Sequence, residues 1–280
     1  MALLERTWKK LANTINLDSL TSSVIFEPTG LKQKQLFISG IHLDELETSN
    51  ILKGWFKNNP HAVPNSLKVL RANPEKTDES ERGVLKWTWR GKKPVDANRG
   101  YGIPDKVTKN YWVSEEIKDR IKDYPDLEYI FSFHEDIENE GYRKEGDKVV
   151  DFNKDNDSFY MYDIFTRNEG SDRVLPLFDE LRKTLRQTGF GLYTGLDDYK
   201  PGTHETVQGN PVHDGYCPQE SVLDGSFENW MVDEGEHGLN KVKRSFIFEI
   251  PKNLTTERKQ EMIQIIFDKF IIPFLKQAPH

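Results

Sequence analysis

A chain of 280 residues, 36% hydrophobic and 11% aromatic, can bury a sizeable core, and its length suits one α/β domain. Its formal net charge of −7, without a basic stripe, argues against nucleic acid as a partner, and its one cysteine, Cys217, excludes a disulfide framework and a cysteine-ligated zinc site. No run approaches ~20 apolar residues and the start MALLERTWKK lacks the apolar stretch of a secretory signal, so the expectation is a cytoplasmic protein without a membrane span.

Leu3, Leu4, Trp8, Leu11 and Ile15 recur at helical spacing and predict an amphipathic helix over residues 1–16. Short strands are expected at Ser23–Phe26 and Gln35–Ser39, on either side of the turn Pro28-Thr29-Gly30. Leu46, Ile51, Leu52 and Trp55 place a helix over residues 44–58, and Leu67–Leu70 reads as a buried strand. Residues 73–110 are charged, Gly- and Pro-containing and without clear period, as functional loops often are. Ser114, followed by Glu115 and Glu116, predicts the cap of a helix over Ser114–Tyr124. Leu127–Phe133 is an apolar strand, residues 138–158 a charged excursion, and Phe159–Phe165 a returning strand. Leu175–Gln187 reads as a helix, residues 193–242 as irregular, Arg244–Ile250 as a strand closed by Pro251, and Thr255–Lys276 as a long final helix. Strands alternating with helices predict an α/β fold, a single domain with a central mixed, mostly parallel sheet flanked by helices, its core spanning about residues 20–275 of 1–280. Ligands of such sheets sit at the carboxyl ends of strands, so functional residues should fall just after them.

Three segments meet that condition. His42 and Glu45, three positions apart after the strand Gln35–Ser39, can face one ion from the same side. An H-x-x-E match alone is weak. His134 follows the apolar run Leu127–Phe133, where core packing does not explain it; the plain alternative is a surface histidine. Two imidazoles and one carboxylate leave a tetrahedral position open for water, which marks a catalytic zinc site. Asp44, Glu135, Asp136 and Glu138 are the candidates to orient a ligand imidazole, or else solvated charges. Glu249 interrupts the apolar strand Phe246–Ile250; it either faces solvent or acts as general base beside a metal-held water. His61, His204, His213, His237 and His280 lie in polar segments and read as surface residues.

With these pieces in order, the chain resembles the zinc carboxypeptidase family. The H-x-x-E comes early, the second His follows a central strand, and the Glu lies near the end of a late strand. Asp96-Ala97-Asn98-Arg99 is similar to that family's D-x-N-R segment, and Asn73-Pro74 with Trp89-Arg90 to its N-P segment and carbonyl-polarising arginine. The resemblance implies one Zn²⁺ held by His42, Glu45 and His134, Glu249 as general base, and Asn98 and Arg99 holding a substrate carboxylate through a guanidinium fork. It implies Arg90 as the oxyanion stabiliser, with Arg82 the alternative. Its mobile tyrosine corresponds best to Tyr216, with Tyr193 and Tyr199 as alternatives, and its specificity position falls at Ser226, Phe227 or Glu228. The implied activity is hydrolysis of an amide or peptide bond beside a carboxylate-bearing residue, the partner a peptide or acyl-amino-acid substrate. Rival readings are an N-acyl-amino-acid deacylase of the aspartoacylase or succinylglutamate desuccinylase type, a murein-peptide amidase, and an inactive carboxylate-binding module. The 115 residues from His134 to Glu249, with one helix after, favour the peptidase branch over the deacylases. Oligomeric state is not legible in the sequence.

Overall fold

The strands form where β-branched and aromatic residues cluster, and their pairing decides which side chains share a face. The computed structural model describes residues 24–42, 44–74, 83–88, 91–96, 98, 100–102, 112–136, 140–146, 148–153, 158–197 and 209–277. The expected helix over residues 1–16 lies outside them.

From the amino-terminal side come β1 (Glu27–Pro28), β2 (Gln35–Ser39), α1 (Leu46–Asn58) and β3 (Ser66–Leu70). A hairpin follows, β4 (Gly83–Thr88) with β5 (Gly91–Asp96), and then α2 (Trp112–Ile121) and β6 (Tyr129–Asp136). A second hairpin pairs β7 (Glu140–Glu145) with β8 (Lys148–Asn153), before β9 (Ser158–Phe165) and α3 (Leu175–Gln187). Short strands β10 (Gly191–Leu192), β11 (Gly195–Asp197), β12 (Asn210–Val212) and β13 (Tyr216–Glu220) lead to α4 (Phe227–Val232) and β14 (Arg244–Pro251). The chain then runs through α5 (Thr256–Ile266), a π turn at Phe267–Ile271, and α6 (Ile272–Gln277).

The main sheet has the order β1-β3-β2-β6-β14-β9-β10, with β13 sharing the outer edge of β9. Strands β3, β2, β6 and β14 run parallel, while β9 is antiparallel to β14 and carries β10 and β13 parallel to itself. This is the expected α/β class with a mixed sheet. A four-stranded sheet, β12-β11-β7-β8, stands beside it.

Because side chains alternate along a strand, the main sheet has two distinct packed faces. Phe37, Phe131, Phe133, Phe159, Met161, Phe246 and Phe248 pack against α1, α3, α5 and α6. Leu36, Ile38, Ile130, Tyr160 and Tyr162 face the other way, toward Val113 and Ile117 of α2 and Phe227 and Trp230 of α4. That second face carries the candidate site.

Several expectations are corrected. The stretch 73–110 is not without regular structure, since it holds the β4–β5 hairpin, and the excursion at 138–158 holds β7–β8. Residues 24–26 form no strand; the pairing with β3 falls at Glu27 and Pro28 instead. Ser114 sits inside α2 rather than capping it. The final helix carries a π turn, and its amino-terminal cap is Thr255, whose side chain accepts from the Arg258 amide. Among the described residues no helix is long and apolar enough to cross a membrane.

Candidate metal centre

Three parallel strands in register deliver their carboxyl ends to one edge. Ser39 of β2 pairs with Phe133 of β6, and His134 of β6 pairs with Glu249 of β14. After β2 the chain turns at Gly40, whose φ of +64° and contact with the Arg71 backbone (3.0 Å from an added Cβ) require glycine. The turn is tied to the end of β3 by the Ala72 amide donating to Ser39 and the Asn73 amide donating to Gly40. His42 and Glu45 fall on the next turn, just before α1 begins at Leu46.

There the side chains converge. His42 Nδ1 lies 2.6 Å from Glu45 Oε1, and His134 Nδ1 lies 3.0 Å from Glu45 Oε2. All three residues are buried, and one ligand atom from each lies within 4.8 Å of the others. Burial would raise the Glu45 carboxyl, but His42 and His134 outweigh it and hold the group well below the usual carboxylate range. Burial would lower His134, but Glu45 and Glu228 outweigh it and lift the imidazole well above its ordinary value. Two imidazoles and an ionised carboxylate in direct contact form a donor set that fits a divalent cation of the zinc type. This triad can hold a metal ion.

Glu249 is not solvent-facing in the sense of a bare surface charge. It lines the same cleft as His42 and His134, beside His134 on one strand and opposite Tyr160 on the other. Burial pushes its carboxyl up to about 8, with Glu45 adding to the push and His134 opposing it. His134 does not end its strand, since β6 continues to Asp136 and places Ser132, His134 and Asp136 on the cleft face.

The carboxylate on the outer nitrogen of the His134 imidazole comes from α4 rather than from Glu135 or Asp44. The ring's Nε2 lies 3.2 Å from Glu228 Oε1. Glu135 points away, accepting from the Thr48 amide at 2.8 Å and from Lys259 Nζ at 2.8 Å. Asp44 is paired with Lys252 at 3.8 Å, Asp136 lines the cleft, and Glu138 lies outside the described residues. Glu228 is fully buried, and hydrogen bonds from His134, Ser132 and Asn98 outweigh its desolvation and bring its carboxyl down to about 2. The specificity candidates divide: Ser226 and Glu228 line the cleft, while Phe227 packs edge-on to Tyr101 in the core.

Asn98 lines the cleft and is buried, with Oδ1 accepting from the Phe227 amide at 2.8 Å and Nδ2 donating to Glu228 Oε2 at 3.0 Å. Arg82, Arg90, Arg99 and Tyr199 lie outside the described residues. Tyr216 is a correction. It pairs with Met161, on the opposite face of the sheet from Tyr160 and Glu249. Its ring stacks on Phe178 and its hydroxyl donates to Asp163 Oδ2 at 2.5 Å, so it does not line the cleft. Tyr193 is also committed elsewhere, its ring against Phe152 and its hydroxyl on the Leu196 carbonyl. Among the described residues, the tyrosines that line the cleft are Tyr160 and Tyr162, both donating to Asp197. Their signal was the alternation of the Phe159–Tyr162 run, which sends Tyr160 and Tyr162 to one face together.

No family model matches the sequence, and no curated protein matches it. Solved structures do. A candidate metallopeptidase from Shewanella baltica is 14% identical over 90% of this chain and 81% of that one, with a TM-score of 0.56. One from Shewanella amazonensis is 13% identical over 89% and 81%, at a TM-score of 0.53. A third, from Shewanella denitrificans, is 15% identical over 96% and 89%, at 0.52. The chain has their fold. The α/β architecture expected of a carboxypeptidase-like metallopeptidase is thus the one it adopts, and the chemistry rests on its own residues.

Proposed function

We propose that this protein is a zinc-dependent hydrolase that cleaves an amide or peptide bond beside a carboxylate-bearing residue. The observation that carries the proposal is the convergence of His42, Glu45 and His134 beside a cleft that His42 and His134 line together with Glu249, which sits one strand over from His134 in register. Glu45 and Glu228, both held ionised, face the two imidazoles, and a divalent cation would balance their charge.

When bound, zinc supplies a Lewis acid that polarises a carbonyl and lowers the pKa of a water. Glu249 is the base that takes the proton from the attacking water and returns it to the leaving nitrogen. The carboxyl end of β14 holds it at the cleft, and its burial raises the carboxyl and so strengthens its hold on the proton. Arg90 is assigned to the developing oxyanion, where one such donor is typically worth ~10²–10³ in rate. Arg99 is assigned to the substrate carboxylate. Asn98 is itself anchored by its bonds to the Phe227 amide and Glu228.

The test is metal content followed by turnover. The wild type should hold about one zinc per chain, and His134→Ala should lose it. Glu249→Gln should keep the zinc and lose hydrolysis of a peptide panel by ~10²–10⁴-fold. A wild type that takes up no zinc at neutral pH refutes the reading and leaves a carboxylate-binding module in its place; zinc without turnover of any carboxylate-ended amide refutes the hydrolase alone.

A further inference from the structure

We propose that Glu228 is a positioning residue of the metal centre, holding His134 as the Nε2–H tautomer with Nδ1 turned toward the metal, and tying that ligand to Asn98. The inference rests on the zinc-hydrolase reading and extends it to a residue 94 positions from the ligand it orients.

The two ring nitrogens of His134 have different neighbours. Nδ1 faces Glu45 Oε2 at 3.0 Å, the side on which His42 also lies. Nε2 faces Glu228 Oε1 at 3.2 Å. A neutral imidazole has one N–H and one lone pair, and a metal needs the lone pair. A carboxylate accepts and cannot donate, so Glu228 places the proton on Nε2 and leaves Nδ1 for the ion. Ser132 Oγ also lies 3.1 Å from Nε2, but its hydrogen is committed to Glu228 Oε1 at 2.6 Å, so toward the imidazole it too can only accept. Both neighbours of Nε2 therefore demand the same tautomer.

The burial of Glu228 gives a second argument. Its side chain has no solvent exposure, and among the described residues its partners are Ser132, Asn98 and His134, with no Lys or Arg. Burying a carboxylate on neutral donors alone is costly, and an imidazole polarised by a bound cation is the partner that offsets that cost. The rest of α4 holds the carboxylate in place. Ser226 caps the helix, Phe227 seats on Tyr101, and Asn98 grips both the Phe227 amide and Glu228 Oε2. A single carboxylate thus links β6, α4 and the segment at Asn98.

The experiment compares wild type, Glu228→Gln and Glu228→Asp. Zinc affinity is measured by competition with a chelator, and the Nε2–H proton of zinc-loaded His134 by NMR. Glu228→Gln should bind zinc ~10–100-fold more weakly and shift that resonance upfield, and Glu228→Asp, which restores the charge, should recover part of both. Affinity within about threefold of wild type with an unmoved resonance overturns the proposal and assigns the carboxylate to substrate instead. Should Glu228→Gln fail to fold, Ser132→Ala, which strips one donor from the carboxylate, joins Glu228→Asp; unchanged zinc affinity and an unmoved resonance in both is equally fatal. A wild type without zinc affinity sinks the hydrolase reading itself, an outcome distinct from a zinc-binding wild type matched by its variants.

Discussion

A tyrosine hydroxyl that donates to a buried carboxylate is not available to swing over a substrate. Tyr216 gives its proton to Asp163, which Arg244 also approaches at 3.2 Å, and burial pushes the Asp163 carboxyl up to about 6 against the pull of both. Tyr216→Phe should therefore cost ~1.5–3 kcal/mol of stability, the range for a hydrogen bond to a charged group, and leave turnover at the wild-type rate. Urea unfolding measures the first and the peptide assay the second; a large loss of turnover in a stable variant would return Tyr216 to the substrate. The sequence suggested Tyr216 because order along the chain was the available guide, and which face of a strand a residue occupies depends on a register that order does not contain. His42 and Glu45 were legible for the opposite reason: their partnership is made within one turn, by spacing alone. Glu228 meets His134 across 94 residues, and nothing local marks it.

Between elements, the candidate metal site is braced from behind by a buried cation. Lys259 of α5 reaches Glu135 at 2.8 Å and Glu47 at 2.5 Å, while the other oxygen of Glu135 takes the Thr48 amide in the first turn of α1. Glu135 follows His134 on β6, and Glu47 lies in the first turn of α1 two residues after Glu45, so the network joins β6 to the start of the helix that His42 and Glu45 lead into. Lys259→Met should destabilise the fold by ~3–5 kcal/mol, because it leaves the Glu135 charge buried without its cation. Denaturant unfolding checks this, and adding Glu135→Gln should restore part of the loss; a Lys259→Met variant as stable as wild type would mean that the pair holds nothing together. Long elements with clear apolar period were readable: Gln35–Ser39 and Leu175–Gln187 form with the expected bounds. The hairpins were not. Lys86, Lys92, Lys93 and Pro94 break the apolar alternation of β4–β5, and three-residue strands such as β11 and β12 are too short to show a period.

For the molecule as a whole, the cluster of opposed charges makes stability a function of pH and metal together. In metal-free protein His134 is raised above 6.5 and Glu249 is raised from 4.5 to about 8. Each binds its proton more tightly folded than unfolded, so each contributes stability that is full below its unfolded value and lost as pH climbs through its folded one. Glu45 and Glu228 are shifted the other way, below 4.5, and their contribution is present above that value and lost as pH falls toward about 2. Metal-free protein should therefore be most stable at about pH 5, where Glu45 and Glu228 are ionised and Glu249 still holds its proton, and lose stability steadily from there toward pH 9. Zinc reverses the upper limb, since the ion needs a neutral imidazole and displaces the protons that His134 and Glu249 hold. Its stabilisation, RT ln(1 + [Zn]/Kd), should then grow as pH rises from about 6 to 8. Thermal unfolding in a pH series, with chelator and with excess zinc, reads both curves. Curves that widen with pH are what displacement of the protons on His134 and Glu249 by the metal requires, and a separation that stays constant would place the ion at groups that do not titrate in this range.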